Sequence, residues 1–424
     1  MSDTRVGIDD LSLYIPAPKM ELNRLVERRG KEQPRLERRL RRALQTTGQE
    51  AIRFPDPWED SATLAAQAAH DLLRRGGERT DPRNLRYIAV GTETSVDLSK
   101  PIAAYVEGML QKSGEEIPSS LSTFQVQHAC AGGTISLLSV SALLQAAGRP
   151  SDSGLVICSD IARYDTPSTA EVTQGAGAVA MRVATNPDLL EIDLTSQGYS
   201  SQDVDDFFRP LGSVTAKVKG GYSVQCYHEA FEDAFDDHCR LLGVDPEKRL
   251  RETDLFVLHV PFYKMAYLGL QKLAEKKLRV SEEEAASFVE EKGFIGGIEP
   301  TTQIGNIYSG SAYMALVFLL ADEYRKHGDD IVGKQLLLGS YGSGNTMTVL
   351  GARIAENAPK VIANWDLDSI FSTAREGSFD EYDRWTEENG YTVEEKQIDH
   401  TAAPAGSFRL TGVREDGYRL YEYL

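Results

Sequence analysis

The segment Gln127-His-Ala-Cys-Ala-Gly-Gly-Thr puts Cys130 between a run that can form a strand, Phe124 to Gln127, and a helical pattern from Ile135 onward. At such a turn a thiolate is stabilised by backbone N–H groups and the helix dipole, and a thiolate is a nucleophile toward thioesters. Gly132 and Gly133 would let backbone donors approach a developing oxyanion. A small hydrophobe packed in a core is the other reading of the same cysteine. Glu93, in Gly91-Thr-Glu-Thr, becomes a base only in a partly dry site that raises its pKa; elsewhere it is solvated or caps a helix. His259 ends the run Leu255-Phe-Val-Leu, where an imidazole can donate to a ketone oxygen or pass a proton near neutral pH, or merely satisfy a strand end. Lys264 is a surface cation or a phosphate partner. Asn306, in Gly305-Asn-Ile-Tyr-Ser-Gly-Ser, and Ser340, in Gly339-Ser-Tyr-Gly-Ser-Gly, can orient a carbonyl, support a nucleophile or build a turn. Cys158, Cys226 and Cys239 read as packing groups.

Other chemistries lack an anchor. The glycine turns match neither a P-loop nor a complete dinucleotide fingerprint, and H-E-x-x-H and G-x-S-x-G are absent. Four cysteines in 424 residues, with no CxxC pair, make neither a zinc site nor a disulfide framework, so a cytoplasmic setting is expected. A net charge of −18 disfavours nucleic acid and anionic membranes, although a local basic pocket stays open. The longest apolar stretches, around 311–321 and 334–339, are too short to span a bilayer, and MSDTRVGIDD lacks the pattern of a secretory signal.

The elements that must position these groups are strands alternating with helices, the sign of a layered α/β architecture. Arg86 to Val90, Leu155 to Cys158, Leu255 to Leu258 and Gln335 to Gly339 end at or just before Glu93, Asp160, His259 and Ser340. Open α/β sheets place ligands at such strand ends. The length predicts two or three domain-sized units. Each half has enough strand and helix for an α/β unit, with a boundary near 180: 1–180 carries the Glu and the Cys, 181–424 the His and the Asn. Glu21 to Leu44 reads as one arginine-rich surface helix that buries Leu36, Leu40 and Leu44 and pairs its cations with Glu residues. Ser61 is expected to cap the next helix, and the chain after 374 to be a polar, loop-rich closure.

Taken in order, the blocks around Glu93, Cys130, Asp160, Gly175, His259, Asn306 and Ser340 resemble bacterial-type hydroxymethylglutaryl-CoA synthases over nearly the whole chain. The resemblance implies a thiolase-like fold, two similar α/β halves in an αβαβα sandwich, and a homodimer. It implies a mevalonate-pathway acyltransferase that uses acetyl-CoA and acetoacetyl-CoA as substrates, with no tightly bound cofactor and no metal. By that resemblance Cys130 carries the acetyl group, Glu93 removes a methyl proton and His259 holds or protonates the acceptor oxygen. Asp160, Asn306 and Ser340 match polar support positions, and Lys264 a residue near the CoA phosphates. This chain departs from the family pattern at Ala131, where an aromatic Tyr usually follows the nucleophile; that swap predicts an enlarged acyl pocket. Asp205 replaces another Tyr, and Lys219 stands where an acidic residue is common. Lys217, Lys219 and Lys264 could meet either CoA phosphates or the phosphopantetheine of an acyl carrier protein, as in polyketide β-branching. A noncatalytic acyl-binding protein is the reading from a different class.

Overall fold

A computed structural model of the chain describes residues 5–76, 81–387 and 395–424. Residues 1–4 of the segment read for a signal, and 388–394 of the terminal closure, lie outside the described residues.

A ten-stranded sheet runs Leu255–Leu258, Gln335–Gly342, Thr346–Ile354, Leu190–Ile192, Val6–Tyr14, Gly175–Thr185, Ser153–Ala162, Leu85–Gly91, Ser122–Val126, with Gly198–Ser201 branching onto Thr346–Ile354. The two halves repeat a pattern. Leu85–Gly91 lies parallel to Ser153–Ala162, which turns antiparallel to Gly175–Thr185; Leu255–Leu258 lies parallel to Gln335–Gly342, which turns antiparallel to Thr346–Ile354. Residue 180 falls inside the strand Gly175–Thr185.

Both faces of the sheet are covered, so its central strands read as near-continuous apolar runs. Alternation still sorts their side chains. Ile88, Val90, Leu155 and Ile157 meet the outer helices Ser61–Gly76 and Ile102–Lys112. Ala89, Val156 and Cys158 meet the inner helix Gly132–Ala147. That helix and Ser311–His327 form the middle layer, joined by a hydrogen bond between the Thr134 and Tyr313 hydroxyls at 2.7 Å. Gly220–Leu242 and Tyr263–Leu278 cover the far face, completing αβαβα. The stretch Ala129–Ala147, the turn and the helix that follows it, is long and apolar enough to cross a bilayer, yet many of its residues are buried in this middle layer.

Three local expectations change. Pro34 has no N–H to continue a helix and is favoured at a helix start, so Glu21 to Leu44 is two helices, Leu22–Glu32 and Pro34–Thr47. The cap of Ser61–Gly76 is Asp60, whose Oδ1 accepts the N–H groups of Ala62 and Thr63 at 3.0 Å each. Among the described residues, the chain after 374 is not a loop-rich closure. Helix Phe379–Glu387 stacks Trp385 on Phe54 at 5.5 Å, strand Phe408–Val413 packs Phe408 and Leu410 against helix Ser61–Gly76, and strand Arg419–Tyr423 sets Tyr421 against Tyr105 of helix Ile102–Lys112. Gly132 and Gly133 also serve close packing. A Cβ on Gly132 would lie 2.6 Å from the Val126 carbonyl oxygen, and one on Gly133 would lie 2.3 Å from Cys158 Sγ.

Gly91 is tighter than either, because a Cβ there would meet backbone atoms of Gly132 and Gly133 at 2.2–2.4 Å. Gly91→Ala should therefore destabilise the fold by about 1–3 kcal/mol, the usual cost of overpacking. Denaturant midpoints measure this, and an unchanged midpoint would show that the helix can move away freely.

Candidate active site

Cys130 sits at the sharp turn between strand Ser122–Val126 and helix Gly132–Ala147. The preceding Ala129 has φ +40°, a left-handed conformation rare for alanine. Tyr308, on the facing loop, has φ +42°. Strain of this kind collects at functional sites, where the surrounding packing sustains it. Cys130, His259 and Asn306 line one cavity of about 550 Å³, together with Tyr164, Phe207 and Tyr308.

The ionisation of Cys130 differs from the expected thiolate. Burial, and then the carboxylates of Glu93, Asp160 and Asp206, push its thiol pKa well above the ordinary value, with Arg209 acting weakly against them. It rests as a thiol. Glu93 lies within Coulombic reach of that sulfur, its side chain 6% exposed. Its Oε1 accepts a hydrogen bond from Arg209 Nη2 at 2.6 Å, whereas Oε2 is buried with no hydrogen-bond partner. Burial raises its pKa to about 7, Arg209 opposing and Asp160 adding to the rise. A carboxyl group so poised takes and gives a proton near neutrality.

His259 follows strand Leu255–Leu258 and has its backbone clamped. Its N–H donates to the Gly339 carbonyl at 2.8 Å, and its carbonyl accepts from the Tyr227 hydroxyl at 2.9 Å. Burial lowers its imidazole pKa to about 3, so it is a neutral hydrogen-bonding group and not a cation near neutral pH. This replaces the expectation of a histidine titrating near neutrality.

Asp160 ties the two halves together. Its Oδ1 accepts from the Glu93 N–H at 2.9 Å and from Thr92 and Thr94, and its Oδ2 accepts from the Ser309 N–H at 3.1 Å and hydroxyl at 2.5 Å. It thereby fixes the Glu93 loop against the Asn306 loop. Asn306 Oδ1 accepts from the Tyr308 N–H and the Ser311 hydroxyl, both at 2.8 Å, which sets the plane of its amide in the cavity wall. Ser340 is not in that wall. It lies within strand Gln335–Gly342 opposite Thr348, and alternation gives the cavity to Tyr341, with Ser343 beyond the strand end. Lys264 stands exposed at the mouth, donating to the Gln45 carbonyl at 2.7 Å. Among the described residues no cluster of His, Cys, Asp and Glu could hold a metal ion.

Residues 3–188 match the family described as hydroxymethylglutaryl-coenzyme A synthase N terminal, and residues 271–403 its C-terminal counterpart. A hydroxymethylglutaryl-CoA synthase of Haloferax volcanii is 30% identical, over 99% of this chain and 100% of that relative.

The chain belongs to the hydroxymethylglutaryl-CoA synthase family.

Its fold is accordingly thiolase-like, and its chemistry is carbon–carbon bond formation. The structure of MvaS in complex with 3-hydroxy-3-methylglutaryl coenzyme A is 31% identical and superposes with a TM-score of 0.86, covering 99% of both chains. The curacin-pathway HMG synthase in complex with holo donor-ACP shares the fold, with a TM-score of 0.85, 22% identity, and 99% and 100% of the two chains covered.

The departures from the synthase pattern take on physical meaning here. Ala131 is buried and does not line the cavity; a Cβ on Gly342 would lie 2.7 Å from the Ala131 Cβ, so this spot is closed rather than enlarged. Asp205 and Lys219 pair with each other, and Lys217 pairs with Asp165. Both pairs are solvent-exposed and worth little stability, but they occupy two of the three lysines assigned to phosphates. Arg209, Asp206, Tyr164 and Tyr308 escaped notice as site residues. Arg209 and Asp206 stood in the Asp205-Asp-Phe-Phe-Arg-Pro block, where an arginine beside a run of aromatics was the available signal.

Proposed function

We propose that this synthase condenses acetyl-CoA with acetoacetyl-CoA and water to (3S)-3-hydroxy-3-methylglutaryl-CoA and CoA, in mevalonate formation in the cytoplasm. Cys130 attacks the acetyl thioester and loses its proton as CoA leaves as its thiol. Glu93 then takes a proton from the acetyl methyl through Oε2, and the resulting enolate attacks the C3 ketone of acetoacetyl-CoA. The neutral His259 donates a hydrogen bond to the oxygen that becomes the tertiary alkoxide, a role in which an uncharged imidazole suffices. The alkoxide takes up one proton to become the alcohol, in balance with the one that Glu93 removed and gives back. Water cleaves the thioester and frees Cys130. Asn306 orients the acyl carbonyl, Asp160 holds the Glu93 loop, and Lys264 meets phosphate at the cavity mouth.

The observation that supports this reading most is the buried Glu93 carboxyl, one oxygen anchored and the other unpartnered, beside a buried cysteine on a strained turn. A homodimer fits the sheet end at Ser122–Val126, which among the described residues carries no further strand, and the partly exposed Leu143 on the adjoining helix. The choice of CoA as carrier draws on the 31% identical relative, whose bound molecule is a CoA thioester. Turnover with acetoacetyl-CoA, measured beside turnover with an acetoacetyl carrier protein, should favour the free thioester by tenfold or more. Negligible turnover of free acetoacetyl-CoA, with rapid use of the carrier form, would overturn the mevalonate assignment in favour of β-branching. Absence of any acetyl adduct on folded protein would instead favour a noncatalytic acyl-binding role.

A further inference from the structure

Arg209 comes to the site from the hairpin in which Phe207 pairs with Val218 and Phe208 with Lys217. Its guanidinium is nearly buried, 11% exposed. Nη1 donates to the Val214 carbonyl, Nη2 donates to Glu93 Oε1 at 2.6 Å, and the group lies 5.8 Å from the centre of the Tyr308 ring. Three contacts in three directions fix where the cation sits. They anchor one oxygen of Glu93 and leave its other oxygen, Oε2, buried without a hydrogen-bond partner.

We propose that Arg209 is a positioning residue: it holds Glu93 ionised and rotated so that Oε2 alone can accept the methyl proton. This rests on the reading of Glu93 as the condensation base. Besides Arg209, Glu93 interacts with acidic groups: Asp160 from its own half, the Cys130 thiol, and the Tyr164 and Tyr308 phenols. Without the cation, desolvation and the Asp160 charge would both favour the protonated acid, which cannot act as a base. Arg209 also interacts weakly with the Cys130 sulfur, so acetyl loading depends on it much less than proton removal does.

The test separates loading from proton removal. Enzyme acetylated with CD₃-acetyl-CoA is followed by intact mass for loading and for loss of deuterium, across about pH 5 to 9. The parent should exchange with a midpoint near 7, the value to which Glu93 is raised. Arg209→Met should load within about threefold of the parent, yet move the midpoint up by one unit or more. It should lose about tenfold in exchange at pH 7 and recover at high pH. Arg209→Lys, which keeps the charge without the planar fork, should restore most of the midpoint and lower the plateau. An Arg209→Met enzyme with the parental midpoint, or one whose exchange falls equally at every pH, would overturn the proposal. Glu93→Gln is the control for the underlying reading. If it exchanges like the parent, Glu93 is not the base, whatever Arg209→Met does. Should Arg209→Met fail to fold, isotope-edited infrared titration of the Glu93 carboxyl in Arg209→Lys decides. The carboxyl must remain within one unit of the parent and show an altered hydrogen-bonded band; an identical band would overturn the proposal.

Discussion

Glu93→Gln should still accept an acetyl group on Cys130 while losing on the order of a hundredfold or more of the condensation rate, within the range of positioned acid–base catalysis. The amide keeps the length of the side chain and can still accept from Arg209 Nη2 at the Oε1 position, so the loop held by Asp160 should stay in place. What it lacks is a carboxylate at Oε2. For the parent, the sign of the pH dependence follows from the raised pKa: Glu93 is the base only when ionised, so condensation should climb as pH rises through about 7. Stability runs the other way. A carboxyl group with a folded pKa above its unfolded value favours the fold most below the unfolded pKa, and that contribution is lost as pH rises through about 7. Glu93→Gln should therefore unfold at an equal or higher temperature than the parent at pH 8. Loading, deuterium exchange and product formation, measured separately, check the assignment. Near-parental exchange and condensation would make Glu93 structural; failure to load acetate in folded protein would place Glu93 in the first step.

Cys130→Ala should abolish the acetyl adduct and reduce condensation on the order of a thousandfold or more, since removing a covalent nucleophile eliminates the two-step route. The thiol is buried and raised by its acidic neighbours, so alanine should fold as well as the parent. The same surroundings make a second measurement informative. If Cys130 rests as a thiol, a small alkylating agent should modify it slowly at neutral pH and faster at each step toward alkaline pH, with no plateau near 7. A plateau near neutrality would show that the helix N-terminus outweighs the carboxylates, contrary to the structure. Acetyl transfer retained by Cys130→Ala would remove this cysteine from the mechanism altogether.

The chemistry-bearing residues were legible because the turn and the strand ends are local features. A cysteine between an extended run and a glycine-led helix, or a histidine closing Leu255–Leu258, announces its geometry within about ten residues of chain. The alternation of strand and helix patterns likewise pointed to layered α/β structure, and the ordered blocks to the family. Where sequence reading went astray, a single residue or a distant partner decided the outcome. Ser340 and Tyr341 are neighbours in sequence, yet the side-chain period of two gives the cavity to Tyr341 and leaves Ser340 off its wall. The tail after 374 looked polar because its aromatics stand among many charged residues; folding gathers Trp385 onto Phe54 and Tyr421 onto a helix far back in the chain.

The sequence by itself determined which groups are available: a thiol, a carboxyl group and an imidazole at strand ends, in the order of a known family. Only the tertiary structure decided their protonation. The thiol is held neutral and the carboxyl group is poised near 7 by burial and by charges brought from elsewhere in the chain, and the imidazole is kept uncharged by burial. Arg209, 116 residues from Glu93, becomes its hydrogen-bonding partner when the second half folds against the first. A pKa is set by desolvation and by Coulomb interactions that fall off with distance in space, and distance along the chain carries no record of either.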